Sequence, residues 1–207
     1  MKIISFNLRN WNRDKNKSLP TYWKTRLNSI VKMISKENPD ILCLQEALPR
    51  MVKRIKKIGY KQVGCGISHV ILIKKTIFAK DHHFRVFYEW CTINEVKIIN
   101  VHSRWEKKVI MGVVAKINRL SAGKTIVCGD FNATYDTLKG YGIQLNHARS
   151  ILSKEAQDTY MHFNDSSRHS EIDHFFVNGI SPKDYRVITD NYGCERMSDH
   201  YPIVLNY

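Results

Sequence analysis

Asp130 and Asn132 stand two residues apart in VCGDFNAT (127–134), where an apolar run meets Gly129, and they are one of six polar groups placed in this way. Asn7, Gln45-Glu46, His102, Asp173 and Asp199-His200 are the others, each at or just beyond the end of an apolar, β-branched stretch. Strand ends on one edge of a sheet converge, so positions scattered along a chain can build one concave site on a rigid scaffold. The set holds carboxylates, amides and two histidines, with no evident serine or cysteine nucleophile. Oxygen-rich donors of this kind suit a hard cation, Mg²⁺ with Mn²⁺ as a substitute, rather than zinc. Beside histidines and a polyanion, such a cation points to phosphodiester hydrolysis, with phosphate oxygen polarised and the leaving oxyanion stabilised.

Taken singly, these residues have simpler explanations. Asp130 reads as a turn residue after Gly129, Asn7 as a strand-end cap, His102 as a satisfied interior histidine and Gln45 as a backbone-bonding neighbour of Glu46. The case for one site rests on all six together.

The elements that would carry them are short β-branched runs alternating with amphipathic helices. KIISFN (2–7) reads as a strand, then a helix over 21–36 with Leu27, Ile30, Val31 and Ile34 on one face, then the strand DILCLQE (40–46) and a helix over 49–58. Strands are expected at HVILIKK (69–75), HFRVFYEW (83–90) and VKIINVH (96–102). A helix over 105–120 follows, with Val109, Ile110, Val113, Val114 and Ile117 as its buried stripe, and KTIVCGDF (124–131) returns to strand, ended by Gly129. The last third offers a short helix over 145–154 and strands at EIDHFFV (171–177), YRVITD (185–190) and YPIVLN (201–206). Mixed strands with helices outside imply an α/β fold of two sheets packed face to face under helical layers. No repeat or linker interrupts the chain, so residues 1–207 read as one domain.

Composition bounds the partner. Thirty-three Lys+Arg against 19 Asp+Glu leave a net charge of +14, which favours a polyanion through counterion release. Nucleic acid leads, ahead of anionic lipid headgroups and plain solubility. The 43% hydrophobic content excludes general disorder, and no apolar run approaches the roughly 18 residues of a membrane helix. The start, MKIISFNLRNWNRDK, lacks the features of a signal peptide. Cys43, Cys65, Cys91, Cys128 and Cys194 are odd in number without C-x-x-C spacing, so reduced thiols in a cytoplasmic protein are expected.

The order ISFNLR, DILCLQE, VHS, GDFN, EIDH and SDHYP resembles the endonuclease/exonuclease/phosphatase family from Asn7 to His200, nearly the whole chain. The resemblance implies a four-layer α/β sandwich of the DNase I-like kind, with two packed mixed sheets flanked by helices, and divalent-metal-dependent phosphoester hydrolysis. It implies Glu46 as the main metal ligand, Asn7 beside it arranging metal and phosphate, and Asp199 as metal or network support. It implies Asp130 as the acid that activates or orients the attacking water, with Asn132 positioning that water. His200 matches the essential histidine at the scissile phosphate, Asp173 the acid that orients its ring, and His102 the histidine that contacts phosphate. A carboxylate beside such a histidine fixes its orientation and raises its pKa. Asp158 in QDTY (157–160) is a further candidate for support; His69, His82, His83, His147, His162, His169 and His174 read as surface or structural.

The chain also departs from the family pattern. Ser103 replaces the leucine that usually follows His102, and ATYDTLKG after GDFN is unlike abasic-site enzymes. The compact length leaves little room for the loops of the lipid and inositol phosphatase branches. Basic residues follow the site motifs directly: Arg50, Lys53, Arg54, Lys56 and Lys57 around the helix after Glu46, and Arg13, Lys15 and Lys17 after Asn7. Both groups are expected to hold phosphates on either side of the cut. Trp11, Tyr22, Trp23 and Trp105 interleave with these charges and could stack on a base, although Trp23 and Trp105 open helices and read more readily as core.

The sequence therefore predicts a Mg²⁺-dependent phosphodiesterase on nucleic acid, DNA before RNA, and most specifically a DNA endonuclease. A phosphatase or phosphodiesterase on small or lipid phosphates or on 5′-protein adducts of DNA is the alternative, and a non-catalytic nucleic-acid-binding module the second.

Overall fold

The computed structural model describes residues 1–9, 22–66, 69–163, 165 and 167–207. In chain order the elements are β1 (Lys2–Asn7), α1 (Trp23–Glu37), β2 (Ile41–Gln45), α2 (Pro49–Lys56), β3 (Tyr60–Val63), β4 (Val70–Lys74), β5 (Lys80–Phe84), β6 (Tyr88–Ile93) and β7 (Val96–His102). They continue with α3 (Lys107–Leu120), β8 (Thr125–Asp130), α4 (Tyr135–Gly140), β9 (Asn146–His147), α5 (Ala148–Ile151), β10 (Tyr160–Met161), β11 (His169–Ser170), β12 (Asp173–Asn178), β13 (Asp184–Val187) and β14 (Ile203–Asn206).

Two six-stranded sheets form, in the orders β13-β14-β1-β2-β4-β3 and β5-β6-β7-β8-β12-β9. Each contains one parallel pair joined across a helix, β1-α1-β2 and β7-α3-β8, and the other pairings are antiparallel. Ile30, Met33 and Ile34 of α1 and Met51, Val52 and Ile55 of α2 pack on Ile4, Phe6, Leu42 and Leu44 on the outer face of the first sheet. Ile110, Val113, Val114 and Ile117 of α3 cover Ile99, Val101, Val127 and Phe176 on the second. The inner faces meet through residues such as Ile3, Cys43, Ile98, Cys128 and Phe175, completing four layers. All five cysteines are free, with Cys43, Cys91 and Cys128 buried.

Strands buried on both faces read as continuous apolar runs, but period-2 alternation still decides which residues meet between the sheets. Along that inner face the chemistry changes from apolar to polar toward one edge: Ile3-Ser5-Asn7, Ile41-Cys43-Gln45, Ile98-Asn100-His102, Ile126-Cys128-Asp130 and, running the other way, Val177-Phe175-Asp173. The register aligns these ends, with Asn7 beside Gln45, His102 beside Asp130, and Asp173 opposite Asp130. The polar edge is thus the carboxyl end of both parallel pairs, where open α/β sheets present their ligand sites.

Several boundaries differ from expectation. HFRVFYEW is two strands, β5 and β6, joined by a turn at 85–87 that carries no glycine or proline to announce it. YKQV, hidden among lysines, is edge strand β3, and α4 follows GDFN, capped by the Thr134 hydroxyl. The expected helix over 145–154 is only the short β9 and α5. β8 does not stop at Gly129 but runs through it to Asp130. The glycine is required because a Cβ there would lie 2.0 Å from the Val101 carbonyl oxygen, at a φ of 137°.

Candidate active site

Asn7 ends β1 fully buried and bridges the two sheets. Its side-chain NH₂ donates to Asp130 Oδ2 at 2.9 Å and to Glu46 Oε1 at 3.3 Å, and its Oδ1 accepts the Arg9 backbone N–H at 2.9 Å. Glu46 is the first residue past β2 and adopts φ 51°, which turns the chain out of the strand. A glutamate enters this left-handed region only when its surroundings hold it there.

Asn132 adopts the same φ of 51° two residues beyond Asp130. Its backbone N–H donates to Asp130 Oδ1 at 2.8 Å, and its side chain donates to the Ser103 carbonyl at 3.0 Å and Asp130 Oδ2 at 3.3 Å. Ser103 N–H in turn donates to the Asp130 carbonyl at 2.9 Å. The serine that replaces the family's leucine is buried, and its backbone clamps this loop to the end of β7.

His200 is buried between two acids. Its Nδ1–H donates to Asp173 Oδ2 at 2.8 Å, and its Nε2 lies 3.8 Å from Asp130 Oδ2. Burial opposes a charged ring, but the Asp173 and Asp130 carboxylates outweigh it and raise the His200 pKa to about 10. Burial, reinforced by Asp173, pushes Asp130 up to about 6 against the pull of His200 and His102. Thr159, fully buried, donates to Asp173 Oδ2 at 2.8 Å and accepts the backbone N–H groups of Ile172 and Asp173 at 3.0 and 2.9 Å. His102 Nε2 faces Glu46 Oε1 at 3.7 Å and Asp130 Oδ2 at 4.0 Å. Asp199 is ion-paired with Arg9 and accepts from the Ser198 hydroxyl at 3.2 Å.

All eight residues expected to act on metal, water or phosphate therefore lie on this one edge. Three supports carried no expectation. Arg9, itself at φ 51°, stands two residues past Asn7 and Thr159 next to Asp158, but no local pattern in the sequence marks either. Asp158 instead pairs with His169 at 2.6 Å on the surface. A third, Arg26 of α1, is buried and donates to the carbonyls of Leu8, Arg9 and Met197, tying the loop after β1 to the loop before His200.

The oxygen donors fit a hard cation. The Glu46 side chain keeps 22% of its surface open, and buried Asp173 Oδ1 has no hydrogen-bond partner among the described residues. Asn7 turns its NH₂ toward the carboxylates, and Asp199 is held by Arg9, so Glu46 is the carboxylate through which a cation would be held. Mg²⁺ commonly takes one or two carboxylates and fills its remaining positions with water and phosphate oxygens. Asp130, Asp173 and His200 also bring ligand atoms within 4.8 Å of one another, but a protonated His200 hydrogen-bonded to Asp173 has no lone pair for a metal. In the similar group of His147, Glu171 and His174, Arg149 holds both Glu171 oxygens at 2.7 and 3.0 Å. There His174 Nε2–H donates to the Ala133 carbonyl at 2.9 Å, leaving Nδ1 to accept His147 Nε2–H at 3.2 Å, which anchors the chain just past Asn132.

Arg50, Lys53, Arg54, Lys56 and Lys57 are all exposed on or beside α2, which begins three residues after Glu46, and none is ion-paired with a described carboxylate. Arg13, Lys15, Lys17 and Trp11 lie outside the described residues. Trp23 packs against the core, whereas Trp105 is 77% exposed, because the buried stripe of α3 begins only at Ile110. No helix among the described residues is long and apolar enough to cross a membrane.

Residues 5–200 match the family model described as "Endonuclease/Exonuclease/phosphatase family". No curated protein matches the sequence. Among solved structures, a mannosyl-6-phosphatase from Bacteroides thetaiotaomicron is similar over 100% of this chain and 98% of its own, with 22% identity and a TM-score of 0.80. D. rerio TDP2 complexed with a single-strand DNA product is similar over 99% and 97%, with 17% identity and a TM-score of 0.77. The 3′ phosphatase NExo from Neisseria bound to a product DNA hairpin is similar over 100% and 99%, with 19% identity and a TM-score of 0.74. At these identities the likeness is one of fold.

Proposed function

The chain belongs to the endonuclease/exonuclease/phosphatase family, whose members hydrolyse phosphoester bonds, and from that premise we propose that it is a Mg²⁺-dependent phosphodiesterase acting on nucleic acid, specifically a DNA endonuclease. The carrying observation is the run of exposed cations on and beside α2, which begins three residues after Glu46 and has no ion-pair partner among the described residues. A small phosphate needs one or two cations; a row of them fits a polymer with a charge on every residue. TDP2 and NExo have both been captured with DNA products, which agrees with this reading. Five free thiols suit a reducing compartment, and we place the protein in the cytoplasm.

In this reading Asp130, once ionised, removes a proton from the attacking water, which Asn132 helps hold in line. His200 enters as an imidazolium, and its Nε2–H donates to the scissile phosphate where negative charge develops. Asp173, fixed by Thr159, aims that ring and keeps it protonated. His102 contacts a second phosphate oxygen, and Asn7 holds the Glu46 and Asp130 carboxylates in register. Mg²⁺ held by Glu46 would polarise phosphate oxygen and neutralise the leaving oxyanion.

The direct test follows supercoiled plasmid with purified protein in Mg²⁺, beside EDTA and the His200→Ala variant. Nicking that requires both the metal and His200 is the expected result. A folded protein that leaves plasmid intact in both Mg²⁺ and Mn²⁺ is not a DNA endonuclease.

A further inference from the structure

The rim formed by the β5–β6 turn and the loop after β7 carries features that phosphate hydrolysis alone does not use. Both lie at the catalytic edge: Tyr88 pairs with Val101, and His102 N–H donates to the Phe87 carbonyl at 2.8 Å. Trp105, three residues past His102, is 77% exposed, and Val86 in the turn is 72% exposed. Among the described residues no ring stacks on Trp105 and no cation lies over it. By contrast, Trp90 stacks on His83 at 4.3 Å beneath Lys97, and Trp23 packs on the core.

A single exposed apolar side chain is ordinary. This one is flanked in the chain by exposed Arg104, Lys107 and Lys108, with Glu106 the one acid in that stretch, and exposed Arg85 lies in the adjoining β5–β6 turn. Arg104 lies over the Phe87 ring at 6.0 Å and links the two loops. The Trp105 loop is also tied to the catalytic segment, because Ser103 bonds through its N–H to Asp130 and through its carbonyl to Asn132. An exposed indole with basic residues beside it in the chain, fixed next to a phosphate-cleaving centre, suits a nucleotide, base against the indole and phosphates against the cations.

We propose that Trp105 is a stacking platform for an unpaired nucleobase of the substrate strand, so that the protein engages single-stranded or frayed nucleic acid through this rim. The inference rests on the nucleic-acid reading above and adds the strand state. A base within intact duplex is already stacked on its neighbours and gains nothing from the indole.

The test uses the full chain carrying His200→Ala, which binds without turnover. Affinity is measured by fluorescence anisotropy for a single-stranded oligodeoxynucleotide, an abasic strand of equal length and a blunt-ended linear duplex closed by G·C pairs. Trp105→Ala should weaken the single-stranded oligonucleotide about tenfold or more. Trp105→Phe should retain most of that affinity, and binding of the abasic strand and duplex should not change. Unchanged single-strand affinity in Trp105→Ala overturns the proposal, as does an equal loss on the abasic strand. If DNA is cleaved and either result is found, only the stacking role falls. If the parent protein hydrolyses p-nitrophenyl phosphate esters yet neither binds nor cleaves any oligonucleotide, the nucleic-acid reading falls with it.

Discussion

At the scale of single residues, the centre turns on two protons held where each is needed. His200 keeps its proton because two carboxylates face it, and Asp130 gives one up reluctantly because it is buried beside Asp173. In the proposed mechanism turnover requires ionised Asp130 and protonated His200, so kcat should fall below about pH 6 and again toward about pH 10. Asp173→Asn removes the first of the charges that raise the His200 pKa, so its alkaline limb should move toward neutrality while the acid limb shifts less. A pH profile of kcat on a phosphodiester substrate measures this, and an alkaline limb that stays in place would remove His200 from that limb. The residues at this centre were legible in sequence because each couples a chemical type to a strand end. Arg9 and Thr159 were not, because they touch the chemistry only through Asp199 and Asp173, and no local pattern records that partner.

At the scale of elements, the two βαβ units and their apolar runs were readable because strand periodicity and the stripe on α3 both survive in sequence. What escaped lacked a local signal: a turn without glycine splits β5 from β6, and β3 lies within a lysine-rich stretch. The inner face hides one more surprise. Glu89 of β6 is fully buried opposite Asn100, with Oε2 3.1 Å from His82 Nε2. Burial pushes its pKa up to about 8, above the ordinary 4.5, so the folded state binds this proton more tightly than the unfolded chain. The stability this supplies is fully present below about pH 4.5 and is lost as pH rises through about 8. Glu89→Gln keeps the shape and cannot ionise. Its melting temperature relative to wild type should therefore climb steadily between those limits, by about 2–4 °C per kcal/mol in a chain of this size. A difference that stays constant with pH would mean that Glu89 is not protonated in the folded protein at neutral pH.

At the scale of the whole molecule, the net charge of +14 and the cations that follow Glu46 were plain in the sequence, and the fold adds that those on α2 are exposed while its apolar face packs on the first sheet. If these cations hold a polymer backbone, binding should weaken steeply with salt, because log K falls by about 0.9 per phosphate neutralised for each unit of log salt. Exchanging Lys53, Arg54 and Lys57 for glutamine should then reduce the slope for duplex DNA by up to about three units, one for each phosphate no longer neutralised. All three side chains are exposed and none is ion-paired with a described carboxylate, so the melting temperature should barely change. A small phosphodiester reaches only the catalytic edge, so its KM should respond weakly to salt and not to the triple substitution. Binding isotherms at several salt concentrations decide between the two. A steep slope that the substitutions flatten assigns the α2 rim to the DNA backbone. A shallow slope in the unsubstituted protein would leave the charge without a polymer to hold and favour a small phosphoester as substrate.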